Sequence, residues 1–445
     1  MPDTPLEAVR PGDGPPHLLL VVGIGGLPAP DALLTCLTVT PRVSVVFVTA
    51  WADPAPVRTL WEQRAATGGG RFLAVPDLES AVTAGAALDG ELPLSGVVTY
   101  SEVLLRPQAE LVQRLGLPGN SVEAVSIAQS KSRQREVFSE HGVPAPRFTR
   151  ILGERDIAAA VAAVGLPAVL KPSLGAGSKN VRRVQTPTEL TEAYRAARAS
   201  KTAFIQRDEA FLLEEPLPVE GREGSPYADY VSVESLLFGG KAEHLAISDR
   251  LRLRHGYVEE GLVVPSHLPP AQAAEAMACA EQAIGAIGLT HGAVHTEIAL
   301  TPDGPKVIEV NARAGGPTPK MLMTAAGYDF AADIARVALG LCPAPPPDFT
   351  GVAWFRFVPI PEGDWRVVSQ RTAEEARHSF PELTQISLRF RPGQSASPNN
   401  TQHLASFTVR GDTTEEAAAT AAAVERFLDI TLEPAEAENA PEDGR

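Results

Sequence analysis

Glu309, Asn311 and Arg313 stand at alternating positions of KVIEVNARAGGP, residues 306–317. A carboxylate, an amide and a guanidinium are the groups that hold a hard cation and an oxyanion, and alternate residues of a strand share one face. Val307, Ile308 and Val310 supply the apolar context, and the run ends on the pair Gly315 and Gly316. Twelve residues before Glu309, HTEIAL sets Glu297 among Ile298, Ala299 and Leu300, with the turn TPDGP between the two runs. A hairpin carrying a carboxylate on each arm can bring both to one hard cation beside phosphate oxygens. The plainer alternative is a hairpin with two solvated glutamates and a chance asparagine.

Upstream, AVLKPSLGAGSKNVRRV delivers Lys171 on an apolar strand and follows it with a loop containing Gly175, Gly177 and Ser178. Glycines let the backbone approach phosphate oxygens, and the amides and the Ser178 hydroxyl can donate to them. The segment does not match GxxxxGK[ST] and no helix start follows it, which argues against a P-loop. An ordinary hairpin turn is the alternative.

In their order along the chain these segments resemble the ATP-grasp superfamily, and within it the amino-acid ligases that join a carboxylate to an amine, most of all the natural-product dipeptide and peptide ligases. The resemblance implies ATP and Mg2+, with Mn2+ as a substitute, and assigns the metal to Glu297, Glu309 and Asn311. It implies that Arg313 binds the substrate carboxylate or its acyl phosphate beside Gly315 and Gly316, and that Arg313, Lys171 and Glu309 are catalytic. Gly175, Gly177 and Ser178 become the loop over the triphosphate. Lys131, first residue of the helix in SKSRQREVFSEHGVPAPRF, becomes a phosphate contact; alone, that helix reads as a solvated face. Only seven of the 39 basic residues are lysines, so Lys131 and Lys171 at the two nucleotide positions stand out. FLLEEPL resembles the hinge at the adenine, with the backbone from Glu214 and Glu215 to Leu217 contacting the base and side-chain identity mattering less. Glu223, Asp229 and Glu234 are candidates for a carboxylate near ribose or substrate, and PVEGREGSPYA resembles an inserted loop. His295 shares a strand face with Glu297 and reads equally as a substrate contact or a structural histidine. Arg250, Arg252 and Arg254 alternate where ligase relatives have a substrate-facing loop; a solvated face and a carboxylate site both fit, the former being the safer reading.

At 445 residues the chain exceeds a usual single core and is expected to form two to four domains. The fold class expected is α/β and α+β multidomain: an ATP-grasp fold with an N-terminal parallel α/β domain and a C-terminal α+β lobe. The divisions are a disordered leader at 1–16, an α/β domain at 17–120, and an ATP-grasp module at 121–341. Within the module a lid spans about 145–213 and a catalytic part 214–341. A proline linker, a lobe at 350–432 and an acidic tail at 433–445 complete the chain. Pro28 occupies the last position of the GIGG turn's would-be dinucleotide fingerprint, which disfavours NAD. A formal charge of -15 disfavours nucleic acid. Cys36, Cys279 and Cys342 are scattered and read as buried thiols in a reducing compartment. LLLVVGIGG lacks a basic flank and is read as neither signal peptide nor membrane span. A cytoplasmic protein without nucleic-acid or membrane partners is therefore expected, and the resemblance implies a homodimer.

The implied chemistry is formation of an acyl phosphate from a carboxylate and ATP, followed by attack of an amine from an amino acid or peptide, with small-molecule carboxylate and amine substrates. Biotin-carboxylase-like activation of bicarbonate and a non-catalytic ATP-binding regulator are the alternatives. No GxSxG and no Cys/His pairing supports a hydrolase.

Overall fold

The computed structural model describes residues 14–175, 180–199, 210–219, 221, 225–253, 257–398 and 403–435. Gly177, Ser178, Glu223 and Arg254 lie outside these, as do most of the leader and of the acidic tail.

The amino-terminal part is a parallel sheet in the order Phe72–Val75, Val43–Val48, Leu18–Val22, Gly96–Val98. LLLVV and VSVVFV are buried along their whole length, as strands covered on both faces must be. Gly26 closes the turn after the first strand at φ 69°, and a Cβ there would lie 2.0 Å from the Tyr100 carbonyl oxygen. Only glycine fits that approach.

The part expected as a lid is an antiparallel sheet in the order Phe148–Ile151, Phe211–Glu214, Ala168–Pro172, Arg182–Val184. Helices Ile157–Val164 and Pro187–Ala199 cover it with Ile157, Val164, Leu190 and Tyr194. Lys171 and Glu214 emerge side by side from its two central strands.

The main sheet has eight antiparallel strands: Gly304–Asn311, Gly292–Thr301, Tyr227–Phe238, Lys241–Leu251, Gly261–Val264, Val352–Pro359, His403–Gly411 and Leu383–Leu388. The last three come from beyond the proline linker. Val352–Pro359, His403–Gly411 and Leu383–Leu388, within the lobe expected at 350–432, therefore continue the main sheet, because Val264, Val263 and Leu262 pair in register with Ala353, Trp354 and Phe355. A three-stranded sheet of Ser395–Ala396, Trp365–Ser369 and Thr431–Pro434 flanks this end. Helix Pro270–Ile287 lays Ala276, Ala280, Ala283 and Ile284 against Val231, Val233, Val307 and Val310. Its small-residue stripe is core packing, as its helical spacing predicts.

Candidate active site

The two carboxylate strands do form a hairpin, and Glu297 faces Glu309 in register while His295 faces Asn311. The strict alternation expected along residues 306–313 is broken. Ile298 pairs with Val307, so Ile308 is an extra residue between paired positions. Such a bulge re-aims side chains. Val307 and Val310 both enter the core, whereas Ile308 and Glu309 both line a cavity of about 320 Å³ between the lid and the main sheet. Ile308 is thus a wall of the site and not its apolar backing. The strand ends at Asn311, and a turn carries Arg313, Gly315 and Gly316 to the cavity edge.

Cations and carboxylates alternate along the cavity. Lys131, at the start of helix Lys131–His141, donates to the Gly175 carbonyl at 3.1 Å and pairs with Glu309 at 3.0 Å. Lys171 pairs with Glu214 at 2.6 Å. Burial depresses the Lys171 ammonium and Glu214 offsets this only in part, leaving it at about 8. Glu214 also accepts from Arg135 Nε at 3.0 Å, and Arg135 Nη2 reaches the Ile308 carbonyl at 2.6 Å. Burial opposes the Glu214 charge, but the two cations hold its carboxyl below the usual range. The side chain of Glu214 therefore matters, contrary to the backbone-only role expected from its hinge position. Glu215 binds Lys306 at 3.0 Å and Arg147 at 2.8 Å, and Leu217 lines the cavity beside it.

Arg250 is 4% exposed, which overturns the solvated-face reading for this residue; Arg252 does face solvent. The Arg250 guanidinium binds Glu297, lies 3.3 Å from Glu259 and sits 5.2 Å from the centre of the Tyr230 ring. Burial opposes the Glu297 charge, yet Arg250 and His295 keep that carboxyl far below its ordinary range.

Glu234 was expected near ribose or substrate; it lies behind the site, fully buried. It accepts from Gly315 N at 3.1 Å, Thr318 Oγ1 at 3.0 Å and His295 Nδ1. A Cβ on Gly315 would come within 2.5 Å of Thr318 and 2.7 Å of both Glu234 and His295, so this turn is fixed from below. Burial would discharge His295, but Glu234 outweighs it and raises the imidazole to about 9. The ring lines the cavity and also faces Glu297 through Nε2 at 3.4 Å. Arg313 Nε lies 3.0 Å from Glu102 of the amino-terminal part, and its Nη2 is 3.5 Å from Asn311 Oδ1.

Glu297, Glu309 and Asn311 line one cavity with hard oxygen donors. Among the described residues no three His, Cys, Asp or Glu side chains gather as a metal cage. Two carboxylates and an amide suit Mg2+, which keeps water and takes phosphate oxygens for its remaining positions. Asp229 is absent from the cavity wall, which Gly175 and Gly316 help to form.

Sequence reasoning missed Gln134, Arg135, Tyr230, Glu259 and Phe357. Gln134 accepts from Val310 N at 3.0 Å and donates to Val310 O at 2.8 Å, tying the helix to the hairpin. Arg135 is fully buried where a solvated helix face was the alternative. Replacing Arg135 with Met is expected to lower the free energy of unfolding in urea by about 3 kcal/mol, because the Ile308 carbonyl loses this donor and the buried Glu214 is left with Lys171 alone. A change below 0.5 kcal/mol would show that the pair contributes nothing.

Residues 164–319 match the ATP-grasp domain family. The chain is 30% identical to alanine-anticapsin ligase of Bacillus subtilis over 231 residues, covering 49% of this chain and 48% of that protein. It is 32% identical to human carnosine synthase 1 over 274 residues, 57% of this chain and 32% of that protein. The chain thus spans about half or less of these relatives. Among solved structures, L-amino acid ligase from Bacillus licheniformis superposes with a TM-score of 0.74 at 20% identity, covering 95% of this chain and 99% of that one. The biotin carboxylase domain of Hydrogenobacter thermophilus 2-oxoglutarate carboxylase, solved with MgADP and bicarbonate, gives 0.67 at 17% identity, covering 94% and 92%. At these identities the superpositions speak to the fold alone.

Proposed function

We propose that this chain, which carries an ATP-grasp domain within an ATP-grasp fold, is an ATP-dependent ligase that joins a carboxylate to the amine of an amino acid or peptide. The observation that supports this most is one cavity holding two registered carboxylates, an amide, and the cations Lys131, Lys171, Arg250 and Arg313. A carboxylate and ATP repel each other, so a catalyst for their reaction must neutralise and align them.

In the first step a carboxylate oxygen attacks the γ-phosphorus, the bond to the β-γ bridging oxygen breaks, and ADP leaves. Lys131 and Lys171 bind phosphate oxygens, and Ile308 and Leu217 enclose the base. Glu297, Glu309 and Asn311 would hold Mg2+, or Mn2+ in its place, which supplies charge neutralisation to the phosphates when bound. In the second step the amine nitrogen attacks the acyl carbon and inorganic phosphate departs, with the amine proton passing to solvent or phosphate. Arg313 stabilises the developing oxyanion and is itself aimed by Glu102. The proposal extends to a cytoplasmic homodimer serving natural-product peptide synthesis, and light scattering of the purified protein checks the dimer.

Lys171 gives a pH signature. With a pKa of about 8 in the free protein it is charged at pH 7 and mostly neutral at pH 9. Phosphate binds the charged form, so ADP affinity is expected to fall about tenfold between those pH values. Calorimetry checks this, with Lys171→Arg expected to flatten the profile. Equal slopes for both proteins would remove Lys171 from the phosphate site.

The reading is tested by incubating the protein with magnesium-ATP and amino acid pools and weighing the products. A condensed product of two substrates minus water supports it, and ADP formation without any condensed product counts against it.

A further inference from the structure

Glu309 and Glu297 face each other on the hairpin, and each carries a cation from elsewhere in the chain. Lys131 pairs with Glu309 at 3.0 Å, and Arg250 Nη2 binds Glu297. The two carboxylates therefore lie between Lys131 at one end and Arg250 at the other. Lys131 is tied to the strand of Lys171, since its backbone N–H donates to the Ser173 carbonyl at 2.9 Å. Inner phosphates held by these two lysines would enter from that end. The strand of Arg250 is three places from that of Glu309 in the main sheet, about 14 Å away, so the phosphate that meets Arg250 is the outermost one.

A guanidinium offers five N–H donors, and its Nε and Nη2 form an edge that matches two oxygens of one carboxylate or phosphate. In Arg250 that edge is half used. Nη2 is on Glu297 and Nη1 lies 3.3 Å from Glu259, whereas Nε is buried and makes no hydrogen bond among the described residues. Arg250 is 4% exposed, and a buried donor left unpaired costs free energy that a ligand oxygen would recover. Glu259 and the Tyr230 ring, 5.2 Å from the guanidinium carbon, keep the group in place.

A metal ion on Glu297 makes a second demand on the same carboxylate. Mg2+ and a guanidinium sharing one carboxylate are like charges at short range, and their repulsion is strong where water is scarce. An oxyanion that bridges them relieves it.

We infer that Arg250 binds the outermost phosphoryl group of ATP through its Nε and Nη2 edge, and that by sharing Glu297 with the metal it makes metal and phosphate binding depend on each other. Arg250 opposes a cation that arrives alone and supports one that arrives with a phosphate, and the coupling is reciprocal. The inference rests on the ligase reading and deepens it by naming the residue that holds the group transferred to the donor.

The test compares the wild type with Arg250→Gln and Arg250→Lys, with circular dichroism as the control for folding. Binding of Mn2+ alone is followed by electron paramagnetic resonance. Affinities for ADP and for a non-hydrolysable ATP analogue are measured by calorimetry at saturating Mg2+. In Arg250→Gln, Mn2+ alone is expected to bind about tenfold tighter and the analogue about tenfold weaker, with a much smaller change for ADP. Arg250→Lys keeps the charge and loses the paired edge, so it should lose analogue affinity with little gain for Mn2+, and it carries the test of the phosphoryl contact if the glutamine variant does not fold. A purely structural Arg250 would weaken every ligand alike. Mn2+ affinity that is unchanged or lower in folded Arg250→Gln, or analogue and ADP affinities that fall equally in either folded variant, would therefore overturn the inference while leaving the ligase intact. Opposite shifts for Mn2+ and the analogue, without any condensed product from the amino acid pools, would uphold the role of Arg250 and remove the ligase reading.

Discussion

Glu309→Ala is expected to lower the rate of ADP formation by about a thousandfold or more, a loss of about 4 kcal/mol in the transition state. Glu309 has two roles. It faces Glu297 across the hairpin, where both can meet one cation, and it pairs with Lys131 at 3.0 Å. Alanine removes one hard ligand and leaves Lys131 without that carboxylate. Fold should survive, because Val307 and Val310, not Glu309, face the core. Coupled-enzyme measurement of ADP, with circular dichroism as the control for folding, checks the prediction. A folded variant with more than one-tenth of the wild-type rate would show that Glu309 is not a metal ligand of consequence.

Arg313→Ala has the second large effect, of a different kind. Loss of a donor to a developing oxyanion costs about 3 kcal/mol, roughly a hundredfold in rate. Arg313 sits where the turn fixed by Glu234 and Gly315 meets Glu102. Amide formation should therefore suffer more than phosphoryl transfer, and the acyl phosphate should be lost to water. The expected result is a ratio of condensed product to ADP well below that of the wild type. An unchanged ratio with both rates reduced alike would place Arg313 in phosphate or donor binding alone.

The order of the site was legible because its residues are held by local backbone. Glu297, Glu309 and Asn311 lie on one hairpin whose strands and turn are written in consecutive residues, and the glycines that follow mark its end. Lys171 and Glu214 were each placed on the correct strand for the same reason. Contacts made between distant strands were not legible. Arg250 reads as one of three alternating arginines until the sheet sets it beside Glu297, 47 residues further along the chain. Glu234 looks like a free carboxylate because Gly315 and Thr318, its donors, lie some eighty residues on. Phe357 carries no local mark at all. The bulge at Ile308 was hidden because VIEV alternates plausibly in either register, and only pairing with the opposite strand decides it. The continuous main sheet was missed for a related reason. A proline-rich linker reads as a boundary, yet the strand after it, Val352–Pro359, pairs with Gly261–Val264 from well before it.

The central claim is that this cavity activates a carboxylate with ATP and passes it to an amine. It is tested most directly by measuring ADP and phosphate release with magnesium-ATP across pooled amino acids and short peptides, with mass spectrometry of the products and Glu309→Ala as control. The account predicts a product weighing two substrates less water, formed with ADP and absent in the control. ATP turnover that appears only when bicarbonate is added, with no condensed amide, would contradict it and assign the site to carboxylation.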